Sequence, residues 1–151
     1  RQRQMCIRDS YIDLSSTPDL VPALTVTCVM LRIPFRFSGL STLRIKESDR
    51  VAALRTELGR VGALLESETP DTLEWEGRFV PVGEMPVFDP HGDHRMAMAL
   101  APVALYIPGI VVRNAEVVSK SYPGYWDDLR KAGFTVTDTA EEEQTSTPAE
   151  Q

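Results

Sequence analysis

The tetrapeptide LRIP at 31–34 returns as LYIP at 105–108, 74 residues later. The same shift carries Asp19 onto Asp93, Ala23 onto Ala97, Val29 onto Val103, Lys46 onto Lys120 and Gly59 onto Gly133, without a gap. Alanine, leucine and valine coincide often by chance. An Asp–Pro–Lys frame at spacings of 15 and 12 (19, 34, 46 and 93, 108, 120) does not. The chain is therefore read as a structural duplication.

Local patterns give both copies the same order of elements. Thr17-Pro18-Asp19 has the form of an N-cap, a first-turn proline and a first-turn acid, opening a helix that runs to about Leu31. A strand is expected near Phe35–Ser38 and a second helix from about Lys46 to Gly62. Strands follow at ALLES (63–67) and TLEWEG (72–77), around a turn at Pro70-Asp71. In the second copy, Asp93 is expected to cap a helix to about Tyr106, with a kink at Pro102. IVVR (110–113) reads as a strand, Pro123 opens a helix that Gly133 ends after Ala132, and FTVT (134–137) reads as a last strand. Helices alternating with strands predict an α/β layered fold.

The ends stand apart. RQRQMCIRDS (1–10) lacks periodicity and is read as a leader foreign to the fold. Residues 138–151, acidic and without a large apolar side chain, read as a disordered tail. The interpretable part runs over 11–137, one domain or a piece of one. The 42% hydrophobic content of the whole chain suffices for a core, and no run is long enough to span a bilayer. The two cysteines, Cys6 and Cys28, have no metal or disulfide spacing, which makes a reducing cytoplasm the default. A net charge of −6 argues against nucleic acid or an anionic membrane as partner. Any anion bound here must be held locally, by a few cations set close together.

Such cations stand where helices begin. Lys46 and Arg50 lie at the expected start of the second helix, His94 and Arg95 in the first turn of the third, and Lys120 just before the fourth. A helix N-terminus is already partly positive, so cations are unfavourable there unless an anion joins them. Recurrence at equivalent places points to a polyanionic ligand, phosphate first. If the second helix already includes residue 46, Glu47 falls in the middle of the stripe Val51, Leu54, Leu58 and Val61, with Lys46 and Arg50 at one margin. Lys46 and Arg50 would then be a repelling i, i+4 pair relieved by an anion between them. Taken alone, Asp19 and Asp93 are ordinary caps, and His94 an ordinary capping or surface histidine. His91 and His94 with Asp89 and Asp93 form a poor metal spacing. Met96, Met98, Trp75 and Trp126 read as packing residues.

Four segments then point to a family. LRIKESDRVAALRTELGRVGA resembles the KE[TS]DR segment of 5-enolpyruvylshikimate-3-phosphate synthases (EPSP synthases). DHRMAMALAPVAL resembles their DHRMAM segment, SKSYPGYWDDLRKAGF their closing K-[TS]-[FY]-P segment, and STPDLVPAL their helix-opening PD segment. All occur in the family's order and cover most of 11–135. The resemblance implies transfer of the enolpyruvyl group of phosphoenolpyruvate to the 5-hydroxyl of shikimate 3-phosphate, with release of phosphate, on the route to chorismate and the aromatic amino acids. No cofactor or metal is implied, and a monomer is expected. The implied fold is two domains of three βαβαββ units each, an inside-out α/β barrel, of which this chain would supply two units of the C-terminal domain.

By the same resemblance, Asp19 contacts the reacting hydroxyl as candidate base and Glu47 serves proton transfer. Lys46 binds the shikimate phosphate, and Arg50, Arg95 and Lys120 grip phosphoenolpyruvate, with His94 beside them. Thr42 stands where some members carry an asparagine at the shikimate site, and Gly124 where many carry an acid. The chain corresponds to about the last third of such an enzyme and is expected not to turn over alone. Two alternatives stand beside this reading: a non-catalytic anion-binding α/β module, and the related transferase acting on UDP-N-acetylglucosamine. KESDR and DHRMAM argue against the latter.

Overall fold

The computed structural model describes residues 11–138, so the expectations for 1–10 and for all but the first residue of the tail lie outside the described residues. Strand β1 (Tyr11–Asp13) leads through helix α1 (Val21–Met30) to β2 (Phe35–Ser38), and α2 (Arg50–Gly59) leads to β3 (Leu73–Trp75). The second half runs β4 (Val87–Phe88), α3 (His94–Leu100), β5 (Val111–Val112) and α4 (Tyr125–Lys131). β1 pairs parallel with β2, and β4 parallel with β5. Each half therefore opens with a β–α–β crossover, and 3-10 turns at Ser41–Ile45 and Ala115–Lys120 stand at matching points. β3 adds to β2 antiparallel, with Phe35 opposite Trp75 and Phe37 opposite Leu73.

One core joins the halves. α1 packs on α3. Val21, Val26 and Val29 of α1, Phe35 and Phe37 of β2, Leu54 and Leu58 of α2, and Met96 and Leu100 of α3 belong to the same buried cluster. A smaller cluster forms where Val117 and Val118 meet Ala97, with Tyr125 and Trp126 of α4 packed against it. Trp75 is buried in the main core, and the Trp126 indole donates to the Ala115 carbonyl.

Several boundaries differ from the sequence expectations. The second helix begins at Arg50, not Lys46. Asp49 is the cap, accepting the Ala52 N–H at 3.0 Å, and Lys46 is extended (φ −81°, ψ −155°) after the 3-10 turn. A carboxylate three residues before a free N–H captures the helix start more effectively than a basic residue can. The i, i+4 pairing of Lys46 with Arg50 and the place of Glu47 in the stripe therefore fall away, although Val51, Leu54, Leu58 and Val61 are all buried. At the first helix, Thr17 makes no capping bond, and Pro18–Leu20 form a 3-10 turn before α1.

ALLES contributes only isolated bridges, Ala63 to Phe79 and Glu66 to Glu74. FTVT forms no strand among the described residues. There the chain turns back on α4, with the Phe134 N–H bonded to the Leu129 carbonyl and Arg130 Nε to that of Val136. β1 and β4 were not anticipated, because two or three residues carry no legible periodicity. The third helix changes to a 3-10 turn at Ala101–Leu105, where Pro102 has no N–H to give the Met98 carbonyl. The Tyr125 hydroxyl takes that vacated acceptor at 2.9 Å, tying α4 to α3. Burial pushes this phenol up to about 12.

One carboxylate fixes the turn that leads towards the charged segment 46–50. Gly39 sits at φ +77°, where a Cβ would lie 2.5 Å from an Asp13 oxygen and from the Ser15 nitrogen. Beyond it the Gly39 and Ser41 N–H groups donate to Asp71 at 3.0 and 3.1 Å. These backbone donors, Gly39 first, hold the Asp71 carboxyl below the usual carboxylate range. A carboxyl with a folded pKa below its unfolded value of about 3.9 stabilises the fold above that value and loses this contribution as the pH falls through the folded pKa. Asp71→Asn is thus expected to lower stability at pH 7 and to make little difference near pH 2. Urea unfolding across that range checks it; a mutational gap independent of pH would contradict the assignment.

Candidate functional site

Residues from three helix beginnings meet around one buried guanidinium. Arg50 is the first residue of α2 and only 2% exposed. A cation at a helix N-terminus, out of water, stands only if carboxylates compensate it. Two do. Arg50 Nε donates to Asp93 Oδ2 at 2.6 Å and Nη2 reaches Asp93 Oδ1 at 3.4 Å, a two-pronged contact. Nη1 donates to Asp19 Oδ1 at 3.0 Å. Burial disfavours the charged guanidinium, but Asp93 and then Asp19 outweigh it and raise its pKa.

Asp93 is fully buried and does two jobs. It caps α3 by accepting the Arg95 N–H at 2.9 Å, and it neutralises Arg50. Ser48 Oγ lies 3.5 Å from its Oδ2. Asp19, in the turn before α1, is half exposed. Its second oxygen pairs with Arg95 Nη2 at 3.0 Å. Partial burial works against the Asp19 carboxylate, but Arg50, Arg95 and Lys46 together hold it below the usual range. Glu47 and His94 meet next to this group, with Nδ1 and Oε2 3.2 Å apart.

The structure thus brings Asp19, Glu47, Arg50, His94 and Arg95 together, with Lys46 close enough to act on Asp19. Lys120 and Thr42 are exposed, and their side chains make no hydrogen bond or ion pair among the described residues. Lys120 ends the 3-10 turn that packs on α3. The HxxH pair does not converge: His91 Nε2 contacts Glu57 while His94 turns to Glu47. Glu47, Asp93 and His94 do offer atoms within 4.8 Å of one another. Asp93, however, is already committed to a guanidinium, which repels a metal cation at the same oxygens.

Sequence reasoning missed one pairing within this arrangement and one buried acid beside it. Asp93 was read as a cap and is also the buried partner of Arg50. Glu57, fully buried, was not singled out at all. The available signal was spacing: seven residues at about 100° each bring Glu57 to within about 20° of the direction of Arg50.

Asp19 and Glu47 reach solvent, whereas Arg50 and Asp93 are buried. A mainly apolar cleft of about 230 Å³ lies between α1 and the turn after α3, lined in part by Met30, Leu31, Leu105 and Tyr106. A wider depression of about 600 Å³ is lined by residues 82–87 with Arg60 and Arg113. Neither is lined by the charged cluster. Cations and carboxylates arranged in this way can take up an anion by exchanging internal carboxylate contacts for ligand ones. Asp19 and the Glu47–His94 pair are then left in position to handle protons.

Comparison with known proteins gives this geometry relatives. A family model described as EPSP synthase (3-phosphoshikimate 1-carboxyvinyltransferase) matches residues 1–129. A Bacteroides fragilis protein named 3-phosphoshikimate 1-carboxyvinyltransferase is 48% identical over 131 residues, which is 87% of this chain and 32% of that protein. A Methanopyrus kandleri protein of the same name is 43% identical over 126 residues, 83% of this chain and 28% of its own length. A solved structure of EPSP synthase from Acinetobacter baumannii matches with a TM-score of 0.62 at 28% identity, covering 76% of this chain and 27% of that one. The chain spans about a third of the length of the curated relatives it matches.

Proposed function

The chain belongs to the EPSP synthase family, and on that premise we propose that it supplies half of the substrate cleft of a 3-phosphoshikimate 1-carboxyvinyltransferase. The reaction joins the enolpyruvyl group of phosphoenolpyruvate to the 5-hydroxyl of shikimate 3-phosphate and releases phosphate. The observation that carries this reading is the Asp19 carboxylate held between Arg50 and Arg95, beside the Glu47–His94 pair. Addition–elimination through a tetrahedral intermediate needs a base at the attacking hydroxyl, a proton donor to the methylene carbon, and preorganised cations on a carboxylate and two phosphates.

Asp19 is the base in this scheme. Two guanidiniums keep it ionised but make it weakly basic. A phosphoenolpyruvate anion that engages Arg50 and Arg95 competes for those cations and returns basicity to Asp19 as the substrate arrives. Glu47 with His94 moves the second proton. Lys46 holds the shikimate phosphate, with Thr42 near it, and Lys120 joins Arg95 on phosphoenolpyruvate. The rest of the cleft comes from the remaining two thirds of the fold.

The test is a chimera in which this chain replaces the matching third of the Bacteroides fragilis relative. Phosphate release is expected with phosphoenolpyruvate and shikimate 3-phosphate together, and not when UDP-N-acetylglucosamine replaces the latter. Phosphoenolpyruvate binding without release would favour a binding-only module. In the same chimera Lys120→Ala is expected to raise the KM for phosphoenolpyruvate by about tenfold, the loss of one charge-assisted contact. The melting temperature should stay unchanged, because the side chain is exposed and makes no hydrogen bond or ion pair among the described residues. An unchanged KM removes Lys120 from the site.

A further inference from the structure

α2 holds a second buried charge that the proposed chemistry does not use. Glu57 is 0% exposed, yet both its oxygens are occupied. Oε2 accepts the Asp89 backbone N–H at 3.0 Å and Arg60 Nε at 2.8 Å, and Oε1 lies 2.9 Å from His91 Nε2. Asp89 and His91 belong to the loop between β4 and α3, which ends at Asp93, the cap just before His94 and Arg95. The loop is braced internally. The His91 N–H donates to Asp89 Oδ1 at 2.7 Å, and the Asp93 N–H to the Pro90 carbonyl at 3.0 Å. His91 itself is left-handed, at φ +55°.

The loop therefore runs antiparallel along one edge of α2 and is gripped twice. Arg50 takes Asp93 at the helix start, and Glu57 takes Asp89 and His91 near its end. We propose that Glu57 is a positioning residue for the anion site: by clamping Asp89 and His91 it sets the path on which Asp93 reaches Arg50 and Arg95 reaches Asp19. A carboxylate rather than an amide or apolar side chain suits the position, because it can accept from three donors at once.

Hydrogen exchange on the 151-residue chain tests this through His91→Asn. Asparagine tolerates the left-handed backbone but is too short to reach Glu57. Exchange of the Arg95 N–H and the Arg50 Nε–H is expected to quicken by about tenfold or more, a fold-change well above the scatter of such comparisons. Amides of Val26 and Phe37 should keep their wild-type rates. Glu57→Gln, which retains one acceptor for the Asp89 N–H, should fall between wild type and His91→Asn. Unchanged rates at Arg95 and Arg50, or a uniform rise across all amides, overturn the proposal.

A second readout, phosphoenolpyruvate affinity of the same variants in the chimera, rests on the function proposed above. His91→Asn should bind about tenfold more weakly, and equal affinities also count against positioning. If the chimera with the unaltered sequence takes up no phosphoenolpyruvate, that functional reading fails, while the exchange rates still decide the role of Glu57.

Discussion

Asp93→Ala is expected to cost the chain about 3–5 kcal/mol, the usual penalty for removing one partner of a buried ion pair. Arg50 would keep Asp19 but lose its two-pronged partner while remaining out of water. The α3 cap would go as well, adding about 1 kcal/mol. Against a total stability of about 5–15 kcal/mol for an ordinary domain, that is enough to leave the chain partly unfolded. Combining Asp93→Asn with Arg50→Met should be far milder. Asparagine still accepts the Arg95 N–H, and methionine fills the space without a charge to desolvate. Urea unfolding of the single and double variants reads this directly. A loss below about 1 kcal/mol for Asp93→Ala, the range of exposed pairs, would show that Arg50 is not buried against Asp93 in solution.

The second large effect is kinetic. In the chimera, Asp19→Asn is expected to lower kcat by about 10²–10⁴, the range for loss of a positioned general base. The amide keeps the shape of the carboxylate and one acceptor oxygen, so folding should be little affected at a half-exposed site. KM for phosphoenolpyruvate should not rise, because Arg50 and Arg95 lose a competitor for the anion. A fall in kcat with an unchanged or lower KM is the signature of a group acting in the transition state rather than in binding. A kcat within about threefold of the parent chimera would remove Asp19 from proton transfer, since so small a ratio is under 1 kcal/mol.

Much of the arrangement was legible before any coordinates. The repeat at 74 residues matches two β–α–β crossovers with equivalent 3-10 turns. Phe35–Ser38 was expected as a strand and is one, because alternation between two aromatic residues carries a period of two. The cations around helix beginnings were noticed because they break a rule of local electrostatics, and Arg50, His94 and Arg95 do gather near Asp19. The same reasoning misjudged where α2 begins. Lys46, Glu47 and Arg50 were assigned helical relations that Asp49, the stronger cap, does not permit.

By itself, the sequence determined the apolar stripes and the membership that four short segments announce, since each depends on residue types at fixed intervals along the chain. Only the tertiary structure decided which partners Arg50, Asp93 and Glu57 meet. A charge enters the interior only when a partner distant in sequence arrives to replace water. Here Arg50 meets Asp93 across 43 residues and Glu57 meets His91 across 34. No local pattern encodes such a meeting, because the free energy that makes burial tolerable exists only once both halves have folded against each other.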